Sequence, residues 1–172
     1  MDGVKRFTTE YVPEEDRIRL SVEDSEGQVF LLWLTRRLCV RLIPQLVKLI
    51  ASLPKLRGGD AGALQDDTMQ RHQQLAALGK LENHDPVQGS GEAISYLVTS
   101  MSLRLNRKAI LLDFKVGPDG TVHTIPFPEA SLRQWLVMLN AMFKRAAWQD
   151  DVWPGWINLK TGTDKPDAIR LN

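Results

Sequence analysis

Two stretches of this chain alternate between polar and apolar residues at a period of two, and each is followed, after one further apolar run, by a run with helical periodicity. In Arg17 to Val22, Ile18, Leu20 and Val22 share one face while Arg17, Arg19 and Ser21 share the other. In Ala109 to Val116, Ile110, Leu112, Phe114 and Val116 point one way. Successive side chains of a strand point to opposite faces, so each stretch reads as a strand with one buried side that needs a cover.

The neighbours of both strands read as strands too. Val4 to Val12 precedes the first and ends at Pro13-Glu14-Glu15-Asp16, and the polar loop Glu23 to Gly27 leads to Gln28–Leu34, which is apolar on both faces. Tyr96 to Leu105 precedes the second across the turn Asn106-Arg107-Lys108. Gly117-Pro118-Asp119-Gly120 then leads to Thr121–Phe127, with Pro126 and Pro128 at its end. Turn residues bound each run, as hairpins require.

Helical spacing follows each trio. Thr35 suits an N-cap, and Leu38, Leu42, Leu46, Leu49 and Leu53 recur at intervals of three and four. Pro44 lacks a backbone donor and predicts a kink or a break there. In the second half Pro128 and Glu129 open a helix to about Trp148, proline suiting the first turn and glutamate the positive end of the helix dipole. One constant offset pairs Phe7 with Met101, Tyr11 with Leu105, Ile18 with Leu112, Leu20 with Phe114 and Val22 with Val116. After the loss of one residue in the hairpin loop, Leu42 pairs with Trp135, Leu46 with Leu139 and Ile50 with Phe143.

The expected fold is α+β, with two pseudo-repeated βββα units whose helices pack on the sheet. The units form one continuous six-stranded sheet with both helices on one face, or two sheets related by a pseudo-twofold. A chain of 172 residues suits one domain. Within it, residues 4–53 form the first half, 54–93 a polar insert, 94–148 the second half and 149–172 a tryptophan-rich tail. The insert is expected to be disordered or partly helical and loosely docked at best, with a short helix around Leu64 to Leu81 in which Leu75, Leu78 and Leu81 form a thin stripe. Residues from Leu159 to Asn172 read as a polar end that frays.

Several chemistries are disfavoured. Lys plus Arg (22) nearly balances Asp plus Glu (21), so no global field favours nucleic acid or an anionic membrane. No strand leads into a glycine-rich loop of dinucleotide or P-loop spacing, so no cofactor is expected. Cys39 is the single cysteine and lies in an apolar helix, where it reads as a small buried hydrophobe. His72 and His84, with Asp66, Asp67 or Asp85 nearby, match no ligand spacing, so no metal is expected. The carboxylates of Glu14-Glu15-Asp16, Glu23-Asp24 and Glu26 fall in turns and read as solubilising. Catalysis has no visible set of residues, and the balance is against an enzyme. The charged apolar run Phe30 to Leu53 is a poor membrane span, and no secretory leader is visible, so the expected address is cytoplasmic.

Two surface features stand out. Arg37, Arg41, Lys48 and Lys55 fall on one side of the first helix, with Arg36 and Arg57 nearby, and form a basic ridge able to meet phosphates or an acidic partner. Phe30 and Leu32 in the two-faced strand, with Trp153 and Trp156 in the tail, are candidate protein-interface residues. The tail is also expected to fold back and cap the core. The leading functional expectation is a non-catalytic binding or assembly protein acting through protein–protein contacts, including self-association as a homodimer. The alternatives are nucleic-acid binding through the ridge, and an enzyme with a small-molecule cleft between the halves containing Asp113, His123 or Arg104.

Overall fold

The computed structural model describes residues 3–56, 67–80, 85–87, 93–106, 108–149 and 151–158, with backbone alone for 54–56. Parts of the 54–93 insert, including Asp66, Leu81 and His84, therefore lie outside the described residues, as do Arg57, Arg107 and the end from residue 159.

Strands β1 (Val4–Val12), β2 (Arg17–Asp24) and β3 (Val29–Thr35) precede helix α1 (Arg36–Leu56). Helix α2 (Asp67–Leu78) lies in the insert. Strands β4 (Ile94–Leu105), β5 (Ile110–Val116) and β6 (Thr121–Phe127) then precede helix α3 (Glu129–Arg145). The six strands form a single sheet in chain order. Every neighbouring pair is antiparallel except β3 and β4, which run parallel with Phe30 opposite Ile94 and Trp33 opposite Leu97. Parallel neighbours need a long crossover, which α1 and the insert provide here. Of the two arrangements that the pattern allowed, the chain adopts the continuous mixed sheet.

Register assigns one face to the core. Leu20 stands between Thr9 and Leu32, Ile18 between Tyr11 and Leu34, and Leu112 between Leu103 and Ile125. Ile18, Leu20, Leu32, Leu34, Leu112 and Ile125 join Cys39, Ile43, Leu46 and Ile50 of α1 and Trp135, Leu136, Leu139 and Phe143 of α3 in one apolar cluster. At roughly 25 cal/mol per Å2, each fully buried large side chain of this kind contributes about 2 kcal/mol.

The βββα order occurs twice, but the halves are not copies. Tyr11 faces Ile18 across the first hairpin, whereas its counterpart Leu105 faces Ile110 across a tighter one. In that tighter turn the Asn106 side chain accepts from the N–H groups of Lys108 and Ala109.

The sheet curls until its two edges approach each other. The Phe7 ring of β1 lies 5.2 Å from that of Phe127 in β6, although these strands are at opposite ends of the strand order. Helix α3 fills the remaining gap and packs on both edge strands. Its Trp135 stacks on Phe127 at 5.1 Å and donates an indole N–H to Thr9 Oγ1 at 3.0 Å.

Three expectations change. Helix α1 continues through Pro44 without a break, because Pro44 sits on its exposed side while Cys39, Ile43, Leu46 and Ile50 are buried along the other. An interior proline costs about 3 kcal/mol, and the burial of that stripe outweighs it. The insert helix α2 docks by a polar face: Gln70, Gln74 and Ala77 are buried, whereas Leu75 is 48% exposed. The third helix ends at Arg145, short of Trp148.

The tail caps the core. Trp148 and Trp156 are buried, and Trp153 packs on the cluster. The rings of Trp148 and Trp153 meet Phe143 edge-on at 5.0 and 5.2 Å.

Candidate functional site

With one sheet face given to the core, the candidate site is the opposite face of the two central strands. The same parity that turns Phe30, Leu32 and Leu34 inward sends Val29, Leu31 and Trp33 outward. β4 adds Ser95 opposite Leu31 and Leu97 opposite Trp33. Leu97 is 46% exposed, a large apolar side chain at the middle of a sheet.

Polar contacts set the geometry around this apolar centre. The Trp33 indole N–H donates to Ser95 Oγ at 2.8 Å, fixing the ring across the β3–β4 seam. The Arg19 guanidinium lies 5.5 Å over the Trp33 ring and also pairs with Glu10. Further along β1 and β2, Lys5 and Arg6 both grip Glu23, at 2.7 and 2.6 Å, and these two cations hold its carboxyl below the usual range. On the other flank Arg104 forks onto Asp113 at 2.5 and 2.7 Å, and Thr124 donates to the same carboxylate at 2.6 Å. Arg104 and Thr124 hold the Asp113 carboxyl below its ordinary value. The result is an apolar centre on β3 and β4 between two charged flanks. A stable protein interface has the same anatomy, with a charge-depleted core inside a polar rim.

The residues named from sequence distribute unevenly. Phe30 and Leu32 lie on the inner face, 9% and 0% exposed, and Trp156 is buried with its ring 5.7 Å from the Arg133 guanidinium. Trp153 is half-buried against the core. Phe30, Leu32 and Trp156 offer no free apolar surface, because the curled sheet and the tail enclose them. The sequence does not single out Leu31 and Trp33, because a strand apolar on both faces does not say which parity turns inward, nor Leu97, because the register shift between Val98 and Ser100 puts it on the face opposite Met101 and Leu103.

The basic ridge is formed in part. Arg37, Arg41 and Lys48 are exposed along α1, and no ion pair engages them among the described residues. Lys55 belongs to the helix, but its side chain lies outside the description. Arg36 turns away to donate to the Gln149 carbonyl at 3.2 Å.

Asp113, Arg104 and His123 do not share a pocket. The first two pair on the outer face, whereas His123 lies on the inner face, 6% exposed, with its ring 5.1 Å from both Phe30 and Tyr96. Burial pushes the His123 imidazole below its usual value. Cys39 is fully buried and its thiol is pushed up to about 12, so it carries essentially no thiolate near neutrality. Among the described residues no three His, Cys, Asp or Glu side chains gather to hold a metal ion, and no helix is long and apolar enough to cross a membrane.

No family model, curated protein or solved structure matches this chain.

Proposed function

We propose that this chain is a non-catalytic assembly protein that binds another protein surface, including a second copy of itself, through the outer face of β3 and β4. The observation that carries this reading is the apolar centre of Val29, Leu31, Trp33 and Leu97 on a face the core does not use. Exposed apolar groups gathered on a sheet lose unfavourable hydration when a partner covers them. Trp33, held by Ser95 and Arg19, is a pre-ordered aromatic anchor of the kind that dominates interface energetics.

The test is sedimentation of the chain, with capture from its native host, alongside the double variant Leu31→Glu, Leu97→Glu. The parent forms a dimer or a stable complex, and the variant loses it while keeping its circular dichroism and melting temperature. A strict monomer that captures nothing, or a complex indifferent to both substitutions, overturns the reading.

Nucleic-acid binding is a second reading, favoured by Arg37, Arg41 and Lys48, which are exposed and have no ion-pair partner among the described residues. It requires affinity for a mixed-sequence oligonucleotide that falls with salt and weakens when all three become Ala, because released counterions drive such binding. Affinity that ignores salt rejects it.

A further inference from the structure

The gap left where the curled sheet fails to close is a cleft of about 380 Å3 between β1, β6 and the first turns of α3. Ligand pockets commonly start near 300 Å3. Its floor is apolar and aromatic: Phe7 from β1, Phe127 from β6, and Trp135 and Met138 from α3. The rings of Phe7, Phe127 and Trp135 already touch in sequence, at 5.2 and 5.1 Å, so the floor is rigid.

Among the described residues the rim carries Lys5, Arg6 and Lys80 and the Asp85 carboxylate. Lys5 and Arg6 share Glu23 between them, which leaves one positive charge over from that trio. Lys80 is exposed and has no ion-pair partner among the described residues.

A peptide strand is poorly suited to the gap. The β1 edge is crossed by the chain's own Asp85–Val87 segment: the Val87 N–H donates to Thr8 Oγ1 at 2.8 Å, and Arg6 donates to the Asp85 carbonyl at 3.2 Å. On β6, Pro126 has no N–H to offer a partner strand. What remains is recognition by side chains, with an apolar floor for a hydrocarbon body and cations for an acid group.

From this geometry we infer that the β1–β6 cleft binds a small organic anion, an aryl or alkyl acid whose apolar body lies on Trp135 and Met138 and whose charge meets Lys80 and the Lys5–Arg6 pair. This site is on the edge of the sheet and shares Lys5 and Arg6 with the charged flank of the β3–β4 face, but uses none of that face's apolar centre, so it stands whether or not that centre binds protein.

The probe is 8-anilinonaphthalene-1-sulfonate, titrated by fluorescence against the folded full chain, with neutral N-phenyl-1-naphthylamine for comparison. The sulfonate binds saturably at one site, more tightly than the neutral compound, and shifts the Trp135 indole N–H resonance. Lys80→Glu weakens it by about fivefold, the scale of one reversed exposed charge. Ser131→Trp, which fills the cleft from α3, abolishes it. Because Lys80 is exposed, Lys80→Glu leaves the fold intact and gives an answer even if Ser131→Trp does not fold. The inference is overturned by absence of saturable binding, by equal affinity for the neutral compound, by an unmoved Trp135 resonance, or by binding indifferent to Lys80→Glu.

Discussion

The Trp148 indole N–H donates to Asp16 Oδ1 at 2.9 Å, joining the residue just past α3 to the turn between β1 and β2. The Tyr11 hydroxyl donates to the same oxygen at 2.9 Å, and its ring meets Trp148 edge-on at 5.7 Å. Asp16 thus closes the first hairpin onto the end of the last helix. Both donors favour the ionised carboxylate, and the Trp148 and Tyr11 hydrogen bonds hold its pKa below the ordinary value.

A carboxylate whose folded-state pKa lies below its unfolded one stabilises the fold above the unfolded value, near ~4, and loses that contribution as pH falls through the folded value. Asp16→Asn keeps the residue type tolerant of its left-handed φ of 46° and removes the charge. Urea midpoints for parent and variant differ most near neutrality and converge as pH drops below about 4. A difference that holds constant down to acid pH would contradict this account.

The same tryptophan also completes the end of α3. Trp148 N–H bonds to the Phe143 carbonyl at 3.0 Å and Ala147 N–H to that of Lys144 at 3.2 Å, the paired bonds of a Schellman cap. The cap requires a left-handed residue at position 147, which is alanine with φ 52°. Glycine is the usual residue there, and an L side chain costs about 1–2 kcal/mol in that conformation. Ala147→Gly is therefore expected to stabilise the protein by about 1 kcal/mol, raising the melting temperature by about 2–4 °C. Calorimetry that finds the variant less stable removes this explanation of the cap.

How much of this was legible depended on whether a residue's environment could be inferred from its neighbours in sequence. The inner faces of β2 and β5 followed from alternation, because Arg17, Arg19 and Ser21 mark the side that cannot be core. In β3 both parities are apolar, so Phe30 and Leu31 could not be told apart until β2 fixed the register. The parallel seam between β3 and β4 was hidden because α1 and the whole insert separate the two strands in the chain. Helix α1 was readable, including the Thr35 cap, whose Oγ1 accepts from Leu38 N–H at 3.3 Å. The effect of Pro44 was not readable, because a proline's local cost does not reveal the tertiary burial that opposes it. The candidate site follows the same division: its residues were visible as apolar, but their exposure was a consequence of the fold.

His123 occupies a core position, and neither ring nitrogen has a hydrogen-bond partner among the described residues. The neutral ring suits its place beside Phe30 and Tyr96, and burial lowers its pKa. Its contribution is intact above the unfolded value, near ~6.5, and is lost as pH falls toward the lower folded value, because the unfolded chain takes up the proton first. His123→Phe replaces two unsatisfied nitrogens with carbon and is expected to stabilise the fold by about 1 kcal/mol. It also flattens the stability profile as pH falls below the unfolded value near ~6.5, because burial holds the folded imidazole lower still. Chemical denaturation across that range checks both effects, and an unchanged slope in the variant would assign the pH dependence to other groups.

The Arg133 side chain makes much of the polar contact between α2 and α3. Its side chain is 2% exposed, and Nη2 donates to Gln70 Oε1 at 3.0 Å and Gln73 Oε1 at 2.5 Å. Nε reaches Glu129 at 3.3 Å, one turn back on α3. Return contacts run the other way: Gln74 Nε2 donates to the Arg133 carbonyl at 2.8 Å, and Gln134 Nε2 donates to the Ala77 carbonyl at 2.7 Å. Burial pulls the guanidinium pKa down, yet an arginine stays charged, so its partners must offset the desolvation. With Leu75 facing solvent, α2 has little apolar area to hold it if they are lost. Arg133→Met keeps the length and removes every donor, and is expected to cost about 2–4 kcal/mol. Arg133→Lys recovers little of this, since one ammonium lacks the planar fork that spans Glu129 and two glutamines. Hydrogen exchange locates the effect: the amides of α2 lose protection in Arg133→Met at denaturant concentrations where β2 and β5 remain protected. Uniform loss across sheet and helix would mean that the insert unfolds only with the whole domain, and equal protection of α2 in parent and variant would show that Arg133 does not hold it.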